Sequence, residues 1–468
     1  MVEPGEVTDV IDAFDGSDPF DVTISLGFRY LAKRARILRE SSIYAPGLTT
    51  GGYTARRLSV GQFVETTSKL EPRVDLGLFR DLALYTRVPV ILDNARRIDN
   101  PDGGSSAAAL AGAPGQPALF GLPFESPDRS GLEYLAIGFE LGVLNQARDR
   151  TKPTWIFGAE TRISIGEPMH ACNAKANPQC AHPGDMNRDG KFSADVTSST
   201  GLALESNAIG ERDAGVTRGT IGLEVHSLMS KRIKYIEPYG GFSALVEFQQ
   251  NDSDYGATDF QGALVNHPPL VGKVTLGMMI IPWENRERFG RLTLDFRFDG
   301  SYHSEGRDYS ELFDALGSSS EATLRAPKWA RFTGNPDCDV NGSADCPRSI
   351  IDLGSAKTYF TGLSVTEAFG SYRAAGAATW RASEHFKLNA GVALNFDQAH
   401  GISHDQPCNP NFKDDLGNSG PCHSGTLTRT ATGIPNPGYR PTINAVGRRF
   451  YVDESMTFEV FARGAVMF

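Results

Sequence analysis

The stretch Phe20-Asp-Val-Thr-Ile-Ser-Leu-Gly-Phe-Arg-Tyr30 alternates in side-chain chemistry with a period of two. Val22, Ile24, Leu26, Phe28 and Tyr30 fall on one face, and Asp21, Thr23, Ser25 and Arg29 on the other. Successive side chains of an extended backbone point to opposite sides, so this pattern makes a two-faced strand. One such strand fits many folds, but here it keeps returning. Leu70–Leu78 sets Glu71, Arg73 and Asp75 against mostly apolar even positions, and Leu82, Leu84, Val88 and Val90 continue it after a tight Phe79–Asp81 turn. Leu135–Val143 is apolar at its odd positions, and Trp155, Phe157, Ile163 and Ile165 face away from Glu160 and Arg162. Ile221, Leu223 and Val225 oppose Arg218, Glu224 and His226, and Phe242, Ala244, Val246 and Phe248 oppose Ser243 and Glu247. Leu292, Leu294, Phe296 and Phe298 oppose Arg291, Asp295, Arg297 and Asp299, and Leu388, Ala390, Val392, Leu394 and Phe396 oppose Lys387, Asn389, Asn395 and Asp397.

Segments of this length cross a bilayer when tilted, with the apolar face on lipid and the charged face on a lumen. No run of eighteen apolar residues occurs, which excludes a transmembrane helix by hydropathy, whereas alternation averages to the ordinary 40% hydrophobic content. The connections alternate as well. Short ones are Phe79–Asp81, Ala147–Lys152, Ser230–Arg232, Trp283–Phe289 and Ser383–His385; long ones are Asn94–Arg129, Pro168–Arg212, Asn251–Pro268, Glu305–Lys357 and Ala399–Gly438. Short periplasmic turns and long extracellular loops mark outer-membrane barrels. The expected fold is therefore all-β: a transmembrane antiparallel β-barrel of about 14 strands, within 12–16, since such barrels are even-numbered. About thirteen strands are legible, and the missing one is placed within Ala399–Arg448. Residues 1–19, acidic and without a basic–apolar leader, are read as a periplasmic segment of a mature chain, and residues 20–468 as the barrel in the bacterial outer membrane. The final strand, ending Ala465-Val-Met-Phe468, resembles the C-terminal signal of barrel assembly.

All six cysteines fall in the long loops and pair by proximity as Cys172–Cys180, Cys338–Cys346 and Cys408–Cys422, within one loop each. That spacing suits disulfides in an oxidising compartment. For the first pair a second arrangement stays open, because His170, Cys172, Cys180 and His182 form a symmetric set that suits zinc. Two loops carry D-x-[DN]-x-[DN]-G, a calcium-loop frame in which alternating oxygens converge on a cation and glycine allows the turn. Asp185, Asn187, Asp189 and the Lys191 carbonyl form the first, with Asp195 in reach; Asp337, Asp339, Asn341, Ser343 and Asp345 form the second. Both resemble the calcium loops of dockerins and thrombospondin-type repeats, but position twelve is Val196 or Arg348 instead of glutamate. A polar Asx-rich turn is the other reading of each.

The inferred lumen holds both signs of charge: Arg73, Asp75, Arg87, Glu140, Glu160, Arg162, Arg218, Glu224, Glu247, Arg291, Asp295, Arg297, Asp299 and Lys387. Two roles fit them, a permeation path or a cross-braced filling, and no ring of one sign marks an ion filter. A net charge of -10 disfavours nucleic acid as a partner. The partners expected are membrane lipid, lipopolysaccharide and envelope proteins. Neither G-x-S-x-G nor H-E-x-x-H occurs, so an enzyme is not expected.

Ser130-Gly-Leu-Glu-Tyr-Leu135 followed by Pro153-Thr-Trp-Ile-Phe-Gly-Ala-Glu-Thr-Arg162 resembles porin-family transporters of the fatty-acid and aromatic-compound uptake type. The resemblance implies a barrel of about fourteen strands that admits hydrophobic molecules; that family's N-terminal plug is not recognisable here. It favours a passive channel or transporter for small or hydrophobic molecules. The competing expectation is a structural barrel that anchors a cell-envelope or motility machine through its stapled loops.

Overall fold

The computed structural model describes residues 21–45, 52–79, 81–101, 110–111, 117–174, 180, 213–250, 253–256, 263–319, 321–324, 360–411, 422–424 and 430–468. Its dominant feature is one closed antiparallel ring. The first strands are β1 (Val22–Ala45), β2 (Gly52–Phe79) and β3 (Leu82–Arg87), which runs on past Val88-Pro89 as β4 (Val90–Asp99). The fragments β5 (Phe124–Glu125) and β6 (Arg129–Leu132) lead into β7 (Tyr134–Leu144). There follow β8 (Thr154–Ser164), β9 (Thr220–Ser230), β10 (Ile236–Gln249), β11 (Val271–Asn285) and β12 (Gly290–His303). After the small pair β13 (Gly306–Asp308) and β14 (Ser364–Thr366) come β15 (Phe369–Arg381) and β16 (Phe386–Asp397). Two-residue pieces then form β17 (His400–Gly401), β18 (Cys408–Asn409), β19 (His423–Ser424), β20 (Thr430–Ala431) and β21 (Ile434–Pro435), and β22 (Phe450–Met467) ends the chain.

Around the ring the order is β1, β2, β3, β7, β8, β9, β10, β11, β12, β15, β16 and β22, and β22 closes on β1. Twelve strands close the barrel, at the lower bound of the expected range and not fourteen. Part of the difference lies in Ala399–Arg448, where a further strand is expected. Its described part forms β17 to β21 and a short helix, Pro441–Asn444, none of a length that crosses a bilayer. β4, β5, β6 and β17 join the sheet outside the ring, β4 pairing with the upper part of β2 and β6 with β4.

The alternation read from sequence is the alternation of the wall. Leu26 (54% exposed), Phe242 (59%), Leu276 (59%) and Leu394 (53%) point outward. At the opposite parity of the ring strands Ser25, Glu71, Asp295, Asn389 and Glu459 are buried inside. Trp283, Phe289, Trp380, Phe386 and Phe468 crowd the turn end of this belt, and Tyr302, Tyr372 and Phe396 its loop end, as in aromatic girdles. This pattern defines a transmembrane β-barrel.

β1 does not stop at Tyr30, where the readable alternation ends. It pairs with β2 from Val22 to Ala45. Beyond Leu31 the backbone still alternates but the chemistry inverts: Ala35 and Ile37 are buried inward, while Arg34 and Arg36 face outward. Val60 and Phe63 of β2, Ile98 of β4 and Phe450 and Val452 of β22 invert in the same way. These residues pack with Leu119, Leu312, Phe360, Ile402 and Ile443 from the loops into an apolar core. The rising strands and loops thus build a cap on the loop end of the barrel with a core of the water-soluble kind.

Among the described residues two within-loop disulfides are present, Cys172–Cys180 and Cys408–Cys422. With those sulfurs bonded to each other the zinc set is not formed, and His170 Nδ1 instead lies 3.2 Å from Asp254 Oδ1. Cys338, Cys346, both calcium-type loops and residues 1–19 lie outside the described residues.

Candidate lumenal site

The lumen is built from the polar faces of the twelve ring strands. Inward residues of neighbouring strands lie opposite one another and those two apart on one strand share a face, so most of these charges find a partner within or across strands. Arg87 on β3 donates to both carboxylate oxygens of Glu160 on β8, at 2.7 and 2.9 Å. Glu160 also accepts from Arg162, 2.6 Å away, which in turn contacts Glu224 on β9. Across the bore Arg29 joins Glu71 and Glu459, and Arg373 bridges Glu459 (2.9 Å) and Asp299 (3.2 Å). Arg297 holds Asp299 at 2.8 Å, and Arg73 holds Asp75, also at 2.8 Å. Asp295 accepts the Tyr239 hydroxyl at 2.9 Å.

Of the residues expected in the lumen, Arg73, Asp75, Glu160, Arg162, Arg218, Glu224, Glu247, Asp295, Arg297 and Asp299 all enter these inward-facing contacts. Arg291 sits at the turn end of β12, opposite Glu284 and away from the charged layer. Sequence reading passed over Arg29, Lys69, Glu71, Arg373 and Glu459 as lumen residues. Arg29 and Glu71 had already been placed on polar strand faces, so parity with Arg73 was the available signal. Glu459 carried the same signal between Phe458 and Val460 of β22, whereas Arg373 gave less, because the inward face of β15 is otherwise mostly alanine, serine and threonine.

A second layer joins wall to cap. The segment after β12 carries three carboxylates spaced three residues apart, and each pairs with a cation from a different part of the wall. Asp308 meets Arg218 at 2.8 Å, Glu311 meets Lys33 at 2.8 Å, and Asp314 meets Arg129 at 2.6 Å. Its short helix, Phe313–Gly317, is buried throughout. Beneath this segment lies a cavity of about 340 Å³, lined by Arg29, Lys69, Glu71, Arg87, Glu133, Tyr134, Arg162, Arg218, Glu247, His303 and Asp308, with Leu245, Pro269 and Val271 as its apolar side.

Toward the turn end the lining becomes aromatic and tight. Tyr85 lies over Gly138, Tyr239 over Gly277 and Phe461 over Gly391, each directly opposite in register. A Cβ on those glycines would fall 2.5, 2.2 and 2.4 Å from the ring atoms, so only glycine fits beneath them. His226 lies over Gly158 in the same way, at 2.4 Å.

No family model matches the chain, and no curated protein matches its sequence. Among solved structures it is similar to an outer membrane channel from Pseudomonas putida F1, at 10% identity over 100% of both chains with a TM-score of 0.38. It is also similar to a Pseudomonas aeruginosa FadL homologue, at 7% identity over 96% of this chain and 90% of that one, with a TM-score of 0.31. The TodX monoaromatic hydrocarbon channel, as a deletion mutant, gives 8% identity over 96% and 90% with a TM-score of 0.30.

Proposed function

We propose that the protein is an integral outer-membrane channel that lets small or hydrophobic molecules pass without energy input. The observation that carries this reading is the pairing of an apolar outer belt with a charged lumen that contains a cavity of about 340 Å³. That volume lies within the range of small-molecule sites, roughly 300–1,000 Å³. The cavity offers ionic, aromatic and aliphatic wall together, so it accommodates a solute with both polar and apolar parts. The lumenal ion pairs hold the wall in shape, since arginines such as Arg29, Arg87 and Arg373 are bonded to carboxylates on other strands.

The test is solute flux. The full chain, refolded into liposomes, is challenged with neutral sugars of increasing size and, separately, with a small aromatic hydrocarbon. Entry of either faster than into protein-free liposomes supports the channel. Entry of both at the protein-free rate overturns it.

A further inference from the structure

Among the described lumen-facing lysines and arginines, Lys273 on β11 makes neither a hydrogen bond nor an ion pair, whereas Arg29, Lys69, Arg73, Arg87, Arg162, Arg297 and Arg373 are each bonded to a carboxylate. Its place is defined by the register. Val274 points to lipid and Thr275 is buried inward, so Lys273 faces the lumen. Directly opposite it stand Ser243 on β10 and Ser301 on β12. Facing residues of an antiparallel pair have Cβ atoms about 4.5–5.5 Å apart. Two hydroxyls therefore flank the base of the lysine side chain. The next lumen-facing pair up the same strands is Leu245 and Val271, part of the cavity's apolar side.

The charges around Lys273 are Glu224, Asp299, Arg297 and Arg373. Both acids are already engaged, Glu224 by Arg162 and Asp299 by Arg297, Arg373 and the Thr275 hydroxyl. Two guanidiniums balance the two carboxylates, so the Lys273 charge itself is uncompensated. Its ammonium and the Ser243 hydroxyl have no protein acceptor among the described residues, while the Ser301 hydroxyl donates to the Ser371 carbonyl at 3.4 Å.

We infer that Lys273, with Ser243 and Ser301, is an anion-binding subsite of the lumen that takes a small organic carboxylate. The carboxylate accepts from the ammonium and the hydroxyls, and its apolar part lies upward against Leu245 and Val271. Charge-assisted bonds of this kind are about twice as strong as neutral ones, enough to hold a solute in passage without trapping it. The inference rests on the channel reading for its role in transport, but the site itself is testable alone.

The experiment titrates trifluoroacetate into the detergent-solubilised full chain and follows the ¹⁹F line width. The expected result is saturable broadening in the wild type and in Lys273→Arg, and binding about tenfold weaker in Lys273→Gln, equivalent to loss of one charge-assisted contact. Chloride should compete and cyclohexanol should not. Retained heat-modifiable gel mobility checks that each variant is folded, and Lys273→Arg supplies a second variant of intact charge. Equal broadening in wild type and Lys273→Gln, or none in the wild type, overturns the site. Sugar flux on the same preparations separates the two claims: flux without trifluoroacetate binding leaves the channel and removes the subsite, and binding without flux does the reverse.

Discussion

The barrel wall and the cap are made by the same strands, yet they solve opposite problems. In the wall, Leu26, Phe242 and Leu276 are more than half exposed and the ionic groups are inside. In the cap, Ile37, Val60, Phe360 and Phe450 are at most 1% exposed, and their strands turn arginines outward. The wall lacks an apolar interior because lipid takes that role, so its inward face is free to carry charge. The cap stands in water and must bury its own apolar surface. β1 passes from one regime to the other between Leu31 and Ala35 without losing its pairing to β2. The membrane boundary is therefore written in side-chain chemistry and not in the backbone.

The largest effect expected lies in the cap. Arg307 is fully buried and bonded to Asp405 at 2.7 Å, with the carbonyls of Val265 and Leu363 taking further donors. Asp405→Ala leaves that charge without its counter-ion and should cost about 3–5 kcal/mol. Limited proteolysis should show the cap loosening while the ring keeps its heat-modifiable mobility. If ring and cap are lost together, they are not separable regions.

On the wall, Leu276→Arg places a charge in lipid and should cost about 2–4 kcal/mol near the midplane, read by denaturant unfolding in vesicles. Leu276→Phe on the same spot should be nearly neutral, because added bulk there meets only lipid. Equal destabilisation by both would mean that Leu276 packs against protein.

A finer comparison uses one substitution at two heights of β1. Ile37→Val in the cap should cost about 0.5–1.5 kcal/mol, the usual price of a methylene lost from a close-packed core. Ile24→Val on the lipid face should cost less, since lipid closes over the gap. Matching losses at the two sites would erase the proposed boundary.

The smallest effect is a pH dependence confined to the cap. Burial pushes the His404 imidazole below its ordinary 6.5, against the opposing pull of Glu367, whose carboxylate lies 2.9 Å from Nε2. The folded state then binds this proton less readily than the unfolded one. His404 therefore adds stability that is complete above pH 6.5 and declines as the pH falls below it toward the lowered folded value. The decline should be seen in cap proteolysis and be absent in His404→Gln. A cap that gains stability on acidification would mean that Glu367 dominates.

Much of the wall was legible because lipid imposes a strict parity on each strand. Ile24 to Tyr30, Phe242 to Phe248 and Leu388 to Phe396 point as their alternation predicts. β15 was harder to read, since Ala374, Ala375, Ala377 and Ala378 carry little contrast between its faces. The upper half of β1 was not legible for a different reason: Ala35 and Ile37 occupy the parity that carries Ser25 and Arg29 lower down, so the pattern cancels across the boundary. Opposite charges in the lumen were readable as a set, but their partners were not, because pairing depends on register. Arg87 meets Glu160 across β7, a relation between residues 73 apart in the chain.

Alternation has a blind spot that the rings over glycines remove. A strand slipped by one residue turns its apolar face inward and is rejected by lipid. A strand slipped by two keeps every face correct, and the lipid belt cannot detect the error. At the Tyr85–Gly138, Tyr239–Gly277 and Phe461–Gly391 joints such a slip would press a ring onto a neighbouring inward residue: Ala136 or Glu140, Thr275 or Met279, Asn389 or Ala393. Each joint thus works as an index mark on its seam. Because these three seams carry one, and His226 over Gly158 marks a fourth, the stagger that sets strand tilt and barrel diameter is fixed by side-chain shape, where hydrophobicity alone would leave it ambiguous.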